Sequence, residues 1–249
     1  MTSSIELPAN ASPYPGRRLT RTILKTLIGV ALNTLGKVEV IGRENLPSGG
    51  PLLVVGNHFS FLDPVAFIHV LPWQLEFLGG VQTPNAPPAV GWIRNLWRTM
   101  PVRRGSASRD TLLLAQSLLE KGGVLGIFPE GGSWAKTLRP ARPGAALLAA
   151  RSGAPILPVG LDGFTTFFAN IRAGRHGKGV VRFGKPFVLP SPETGSRVSR
   201  HDIDEAGHTI MRQISLLIPE EQRGFYSTDS AIRKSAEGSE IYPWDNIRE

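Results

Sequence analysis

The stretch Pro51-Leu52-Leu53-Val54-Val55-Gly56-Asn57-His58-Phe59-Ser60-Phe61-Leu62-Asp63-Pro64 runs from an unbroken apolar segment, through a polar loop, to a helix start. An apolar run without polar alternation fits a strand covered on both faces, as inside a parallel sheet. Proline is favoured in the first turn of a helix and aspartate just before it, so a helix over residues 64–70 follows, with Asp63 as its cap. Buried strand, loop and helix in succession make the unit of an α/β layer fold. The loops at its strand ends carry the chemistry.

Outward from this unit the pattern repeats. Short apolar segments at 37–41, 75–78, 124–128, 155–161 and 180–183 read as strands, and periodic segments at 89–97, 111–121, 145–152 and 202–217 read as helices. The expectation is an α/β fold, a single-domain layered sheet flanked by helices, with an N-terminal amphipathic helix. Residues 1–36 hold a proline-rich mobile leader and that helix, 37–218 the working domain, and 219–249 a polar, loosely attached tail.

The chain has 249 residues, 41% of them hydrophobic, which is enough for one substantial core. It has no cysteine, so disulfides and thiolate metal sites are excluded and a nucleophile would have to be an oxygen. The net charge of +8 favours an anionic partner: nucleic acid, an acidic membrane surface or a phosphorylated substrate. Nucleic-acid binding calls for clustered cations interleaved with aromatics, and the arginines here are scattered.

In residues 19–35, Leu19, Ile23, Leu24, Leu27, Ile28, Ala31, Leu32 and Leu35 follow helical spacing, with Arg21, Thr22, Lys25, Thr26 and Asn33 largely on the other side. The run is shorter than the roughly 18–20 apolar residues that span a bilayer. Such a helix lies in a headgroup layer or packs on its own domain; both readings stand at this point.

His58 is the side chain suited to take a hydroxyl proton and return it to a leaving group, provided that something orients it. Five residues separate it from Asp63, so the two meet only if the intervening segment is a turn. A carboxylate then fixes the imidazole tautomer and stabilises the imidazolium. The plainer alternative is a helix cap beside an ordinary loop histidine. A second segment, Leu125-Gly126-Ile127-Phe128-Pro129-Glu130-Gly131-Gly132-Ser133, again leads from a strand into a glycine-rich turn, where Glu130 is placed to bond acceptor hydroxyls or orient an arginine.

Asn57-His58-x-Ser60-x-x-Asp63 with Phe128-Pro129-Glu130-Gly131 resembles the first and third signature blocks of the glycerolipid acyltransferases, the family of 1-acylglycerol-3-phosphate acyltransferase. Pro101-Val102-Arg103-Arg104-Gly105 resembles the intermediate block, and Ala154-Pro155-Ile156-Leu157-Pro158-Val159 the fourth. The resemblance covers roughly residues 38–165. It implies acyl transfer from acyl-CoA or acyl carrier protein to a lysophospholipid hydroxyl, with no metal or resident cofactor. It further implies work at the cytoplasmic face of a cell membrane, in phospholipid biosynthesis.

In that family the histidine is the base and the aspartate its orienter, which makes His58 and Asp63 the catalytic pair. Asn57, Ser60, Arg103, Arg104, Glu130, Gly131 and Gly132 are then the substrate-binding set. Where the family usually continues with threonine or valine and then arginine, this chain has Gly132, Ser133 and Trp134. Arg139 and Arg142 are the candidates to replace that arginine at a phosphate. A different acceptor, glycerol 3-phosphate or a non-phosphorylated lysolipid, is the alternative within the same chemistry, and a non-catalytic basic lipid-binding protein the alternative outside it. His201, Asp202, Glu205 and His208 invite a metal, but Asp202-x-x-Glu205 reads better as a capping box. Trp92, Ile93, Leu96 and Trp97 read as core.

Overall fold

A computed structural model describes residues 12, 14–80, 88–102, 109–190 and 199–241. The first half of the chain forms α1 (Arg18–Leu35), β1 (Gly36–Ile41), β2 (Leu52–Gly56), α2 (Asp63–Val70), β3 (Glu76–Gly80), α3 (Pro88–Trp97), β4 (Met100–Val102) and α4 (Arg109–Glu120). There follow β5 (Val124–Ile127), α5 (Pro143–Ser152), β6 (Ile156–Asp162), α6 (Phe167–Arg172), β7 (Gly177–Phe183), α7 (Arg200–Ser215) and α8 (Ser230–Ala236). Of these, β4 and α6 are too short to carry a periodic signal. The cap of α7 lies three residues earlier than its sequence suggests: Ser199 and Asp202 form the capping box, not Asp202 and Glu205.

The strands form one sheet in the order β1-β7-β6-β2-β5-β3-β4. β6, β2, β5, β3 and β4 run parallel, whereas β7 and its parallel neighbour β1 run the other way. Every residue of β2 is buried because helices cover both faces. Leu52 and Val54 pack with Leu24, Ile28 and Leu32 of α1 and Phe67 of α2. Leu53 and Val55 face the other way, onto Leu118 and Leu119 of α4, Leu148 of α5 and Ile210 and Ile214 of α7. Each such buried aliphatic side chain stabilises the fold by about 1.5–3 kcal/mol. The layered α/β fold expected from the sequence is the fold observed.

Register sets the site. Val55 lies opposite Ile127 of β5, and Gly56 opposite Val159 of β6, so β2 and β5 end nearly level while β6 runs on beside them to Asp162. The loops that leave them emerge side by side at the carboxyl edge of the sheet, the edge where open α/β sheets bind ligands.

The polar face of α1 departs from expectation. Arg21 is 2% exposed, in the core rather than toward lipid phosphates. Its guanidinium donates to both oxygens of Glu76 on β3, at 2.6 and 2.8 Å, and its Nε to the carbonyl of Trp97 at 2.8 Å. Lys25 likewise turns inward, to the carbonyl of Leu71. Thr22, Thr26 and Asn33 face outward as expected, and beside them runs an exposed apolar stripe: Leu19, Ile23, Leu27 and Val30 are 73, 53, 57 and 61% exposed. The amphipathic helix therefore has two apolar stripes, one buried and one bare.

Two further expectations need correction. The leader is held at Ser12, whose hydroxyl donates to Glu76, and at Tyr14, whose ring lies beside the Arg21 guanidinium. The tail is docked over residues 219–241: Leu138 N–H donates to Gln222 O at 2.8 Å, Phe225 N–H to Leu138 O at 3.3 Å, and Trp134 Nε1 to Ser239 O at 3.0 Å. On α3, Trp97 is core as expected, but Trp92 and Leu96 face outward.

Removing one member of a buried ion pair strands a charge, whereas replacing both with apolar side chains is close to neutral. Arg21→Ala is therefore expected to lower the unfolding free energy by about 3–5 kcal/mol, and Arg21→Met combined with Glu76→Leu to recover most of it. Urea unfolding midpoints measure both, and an Arg21→Ala midpoint equal to the parent's would refute the assignment.

Candidate active site

Gly56 ends β2 against α2: a Cβ there would lie 2.7 Å from the ring of Phe67, so only glycine lets the helix approach this closely. The chain then turns through residues 57–62 and enters α2 at Asp63. Asn57 is fully buried and pairs with β6 as a strand residue would, its side-chain amide donating to Leu161 O at 2.8 Å and its oxygen accepting Leu161 N–H at 2.7 Å. That use corrects its expected contact with substrate. Asn57 clips the loop to β6.

Asp63 does not cap the helix that it begins. Its side chain folds back over the preceding turn, and a single oxygen, Oδ2, meets three partners: His58 Nδ1 at 3.0 Å, Phe59 N–H at 2.8 Å and Ser60 N–H at 2.7 Å. The segment between His58 and Asp63 is thus a turn organised by the carboxylate itself. Burial raises the pKa of Asp63, while the His58 contact and the two amides pull it down. The Ser60 hydroxyl donates to Phe164 O at 3.2 Å and accepts Leu62 N–H at 3.2 Å. It braces the loop and is not placed as a substrate ligand, a second correction.

The imidazole of His58 remains accessible, its side chain 16% exposed. Asp63 holds Nδ1, so Nε2 is the ring nitrogen that Asp63 does not engage. The ring stacks on Phe128 at a centroid distance of 4.4 Å and an interplanar angle of 25°. The backbone N–H of His58 donates to Glu130 Oε1 at 2.7 Å. Two strand ends therefore meet at one histidine, as the paired motifs led us to expect.

Of the two expectations for Glu130, contact with acceptor hydroxyls or the orienting of an arginine, the structure shows the second. It is buried, with one oxygen on the His58 amide and the other on Arg139 Nε at 3.0 Å. Burial pushes its carboxyl up to about 7, against the opposing pull of Arg139 and the His58 amide. Arg139 is buried as well: it donates to Gly132 O and lies over the Trp134 ring at 3.5 Å. Its guanidinium stiffens the 129–139 loop from within, which corrects its assignment to substrate phosphate.

Gly131 has a positive φ of +78°, which makes glycine the residue of least strain at this turn. Gly132 is buried beside the Trp134 ring, and its carbonyl accepts from Arg139. Arg142 differs from Arg139. It is exposed, its N–H donates to Pro129 O at 2.8 Å, and its stem lies along Gly131. It is the cation set beside the Phe128–Gly131 turn. Arg103 and Arg104 lie outside the described residues. Of the metal-like group, His208 bonds the Tyr226 hydroxyl at 2.9 Å and Asp202 caps α7.

Sequence reasoning missed the Phe128 stack and the Asn57–Leu161 clip, and it offered an arginine partner for Glu130 without saying which. Phe128 lay inside a flagged motif, but nothing in its spacing says which ring it touches. The buried arginines carried no signal, since buried and surface arginines look alike in a sequence.

Comparison with known proteins agrees with this geometry. The Acyltransferase family profile matches residues 37–162. The 1-acyl-sn-glycerol-3-phosphate acyltransferase BAT2 of Brassica napus is 28% identical over 205 residues, covering 81% of this chain and 58% of that protein. The human 1-acyl-sn-glycerol-3-phosphate acyltransferase alpha is 29% identical over 61% of this chain and 52% of its own length. The chain thus spans between half and two thirds of these two relatives. The crystal structure of the 1-acyl-sn-glycerophosphate acyltransferase PlsC from Thermotoga maritima has the same fold, with a TM-score of 0.57 at 22% identity over 83% of each chain. With the profile spanning half of the chain and both of its signature loops meeting at His58, this protein belongs to the acyltransferase family.

Proposed function

We propose that this protein is an O-acyltransferase that moves a fatty acyl group from acyl-CoA or acyl carrier protein to the hydroxyl of a lysophospholipid, with 1-acylglycerol 3-phosphate as the preferred acceptor. The observation that carries the reading is the Nδ1–Oδ2 contact of 3.0 Å between His58 and Asp63 at the carboxyl edge of the sheet. His58 Nε2 takes the acceptor proton as its oxygen attacks the thioester carbonyl. The tetrahedral intermediate collapses, and the imidazolium returns the proton to the departing thiolate. General base catalysis of this kind contributes about 10²–10⁴-fold. Asp63 holds the reactive tautomer and stabilises the imidazolium. The Ser60 hydroxyl is committed to the loop, so transfer is direct, without an acyl-enzyme.

Acceptor choice has one specific argument on each side. Arg142 beside Gly131 and the net charge of +8 favour a phosphorylated acceptor. The loss of the family's usual arginine after Gly131, with Arg139 turned inward to Glu130, favours a neutral lysolipid. Among the described residues no helix is long and apolar enough to cross a membrane. The bare stripe of α1 supports interfacial docking, on this reading at the cytoplasmic face of the cell membrane.

Three outcomes are expected. His58→Ala abolishes transfer of labelled acyl groups to lysophosphatidate in a folded protein, and Asp63→Asn lowers kcat by about 10³–10⁴-fold; activity in purified His58→Ala would sink the mechanism. Across lysophosphatidate, glycerol 3-phosphate and neutral lysolipids, Arg142→Ala raises KM for the phosphorylated acceptors alone, by about tenfold for one lost charge-assisted contact. An equal effect on neutral acceptors favours the second reading. In flotation with phosphatidylglycerol vesicles, Ile23→Asp with Leu27→Asp detaches the protein, and unchanged flotation excludes α1 as the docking surface.

A further inference from the structure

The imidazole of His58 stands at the end of a column of aromatic rings. Phe77 of β3 and Phe67 of α2 lie 6.4 Å apart with their planes 26° from parallel. Phe67 and Phe128 are 5.0 Å apart at 31°, and Phe128 and His58 are 4.4 Å apart at 25°. Phe77 and Phe67 are buried in the core, and Phe128, at the mouth of the sheet, is half-buried. The first and last steps are stacked and the middle one, Phe67 to Phe128, is tilted, so an unbroken line of ring contacts leads from the helix–sheet layer to the face of the imidazole.

Two contacts are not enough to fix a histidine that must act at Nε2. Asp63 holds Nδ1 and Glu130 holds the backbone amide, but neither resists a tilt of the ring about the Nδ1–Oδ2 line. A flat surface under one face does. An aromatic face also carries partial negative charge, so it favours a cation stacked upon it.

We infer that Phe128 is a positioning residue for the reaction: its ring fixes the plane in which His58 presents Nε2 and supports the imidazolium formed during transfer. This rests on the reading of His58 as the base. Phe67 acts one step further back, as the rigid floor under Phe128. The part assigned to Phe128 needs no contact with either substrate, which separates it from residues that set acceptor or acyl preference.

The test compares Phe128→Leu, Phe128→Trp and the parent by two readouts. One is steady-state transfer; the other is the ring ¹⁵N spectrum of His58 in the substrate-free, histidine-labelled protein, which reports tautomer without reference to activity. Phe128→Leu is expected to lower kcat by about 10–100-fold, the scale on which small misplacements of reacting groups act. KM for both substrates stays near the parent's, and the His58 signals shift toward a mixture of tautomers. Phe128→Trp, which restores a flat π-face, recovers both. If Phe128→Leu does not fold, Phe128→Met gives the same comparison with a flexible side chain in place of a ring. Parent-like kcat and parent-like ring signals in the folded Leu or Met variant overturn the proposal, as does a loss confined to KM. Should the parent show no transfer while the ring signals respond as expected, the functional reading fails and the positioning role of Phe128 survives.

Discussion

Asp63 Oδ2 gathers the imidazole Nδ1 and two successive amides, and the shape of the 58–63 loop follows from that one oxygen. A carboxylate in this setting loses its water. Burial works against its ionisation, and three short hydrogen bonds replace the lost hydration. The same contacts close residues 58–63 into a turn, so one group both builds the loop and orients the imidazole of His58. Its place at the start of α2 adds the positive end of the helix dipole to its surroundings.

The second strand end supports the first through buried charge. Glu130 divides its oxygens between the His58 amide and Arg139, and Arg139 in turn holds the carbonyl of Gly132 and covers Trp134. The docked tail bonds the same loop at Leu138 and Trp134. His58 therefore rests on supports from β2, β5, α2 and the tail, with the clip to β6 holding its neighbour Asn57. Held from so many elements, the imidazole is preorganised to a degree that loop sequence alone does not confer.

Much of this was legible before the fold was known. The apolar run 52–55 announced a sandwiched strand, and His58 with Asp63 announced a pair, because both signals are local. What was not legible depends on partners distant in sequence. Arg21 meets Glu76 across 55 residues, and Asn57 meets Leu161 across 104. A helical wheel put Arg21 and Lys25 on a water-facing side because it has no term for a carboxylate or carbonyl waiting on a neighbouring element. For the same reason Glu130, Arg139 and Ser60 were read as ligands of substrate: polar groups in a motif look alike whether they face a substrate or another part of the loop. The motifs led to two loops that meet at His58, and they did not tell which of their polar groups face the rest of the protein.

That division changes what the positive charge of the chain can do. Arg21 and Arg139 are removed from the surface, but each leaves with a glutamate, so the excess of +8 stays undiminished on the rest of the chain. A long-range field of this sign concentrates anionic partners before any contact forms and weakens as salt rises. On the proposed reading it acts with the bare stripe of α1, the field drawing the protein to an acidic bilayer and the apolar side chains holding it there. The two effects separate by salt: screening abolishes the first and leaves the second nearly untouched. Docking that survives high salt would thus belong to Leu19, Ile23, Leu27 and Val30 rather than to the cations, two of which the fold has already turned inward on α1 itself.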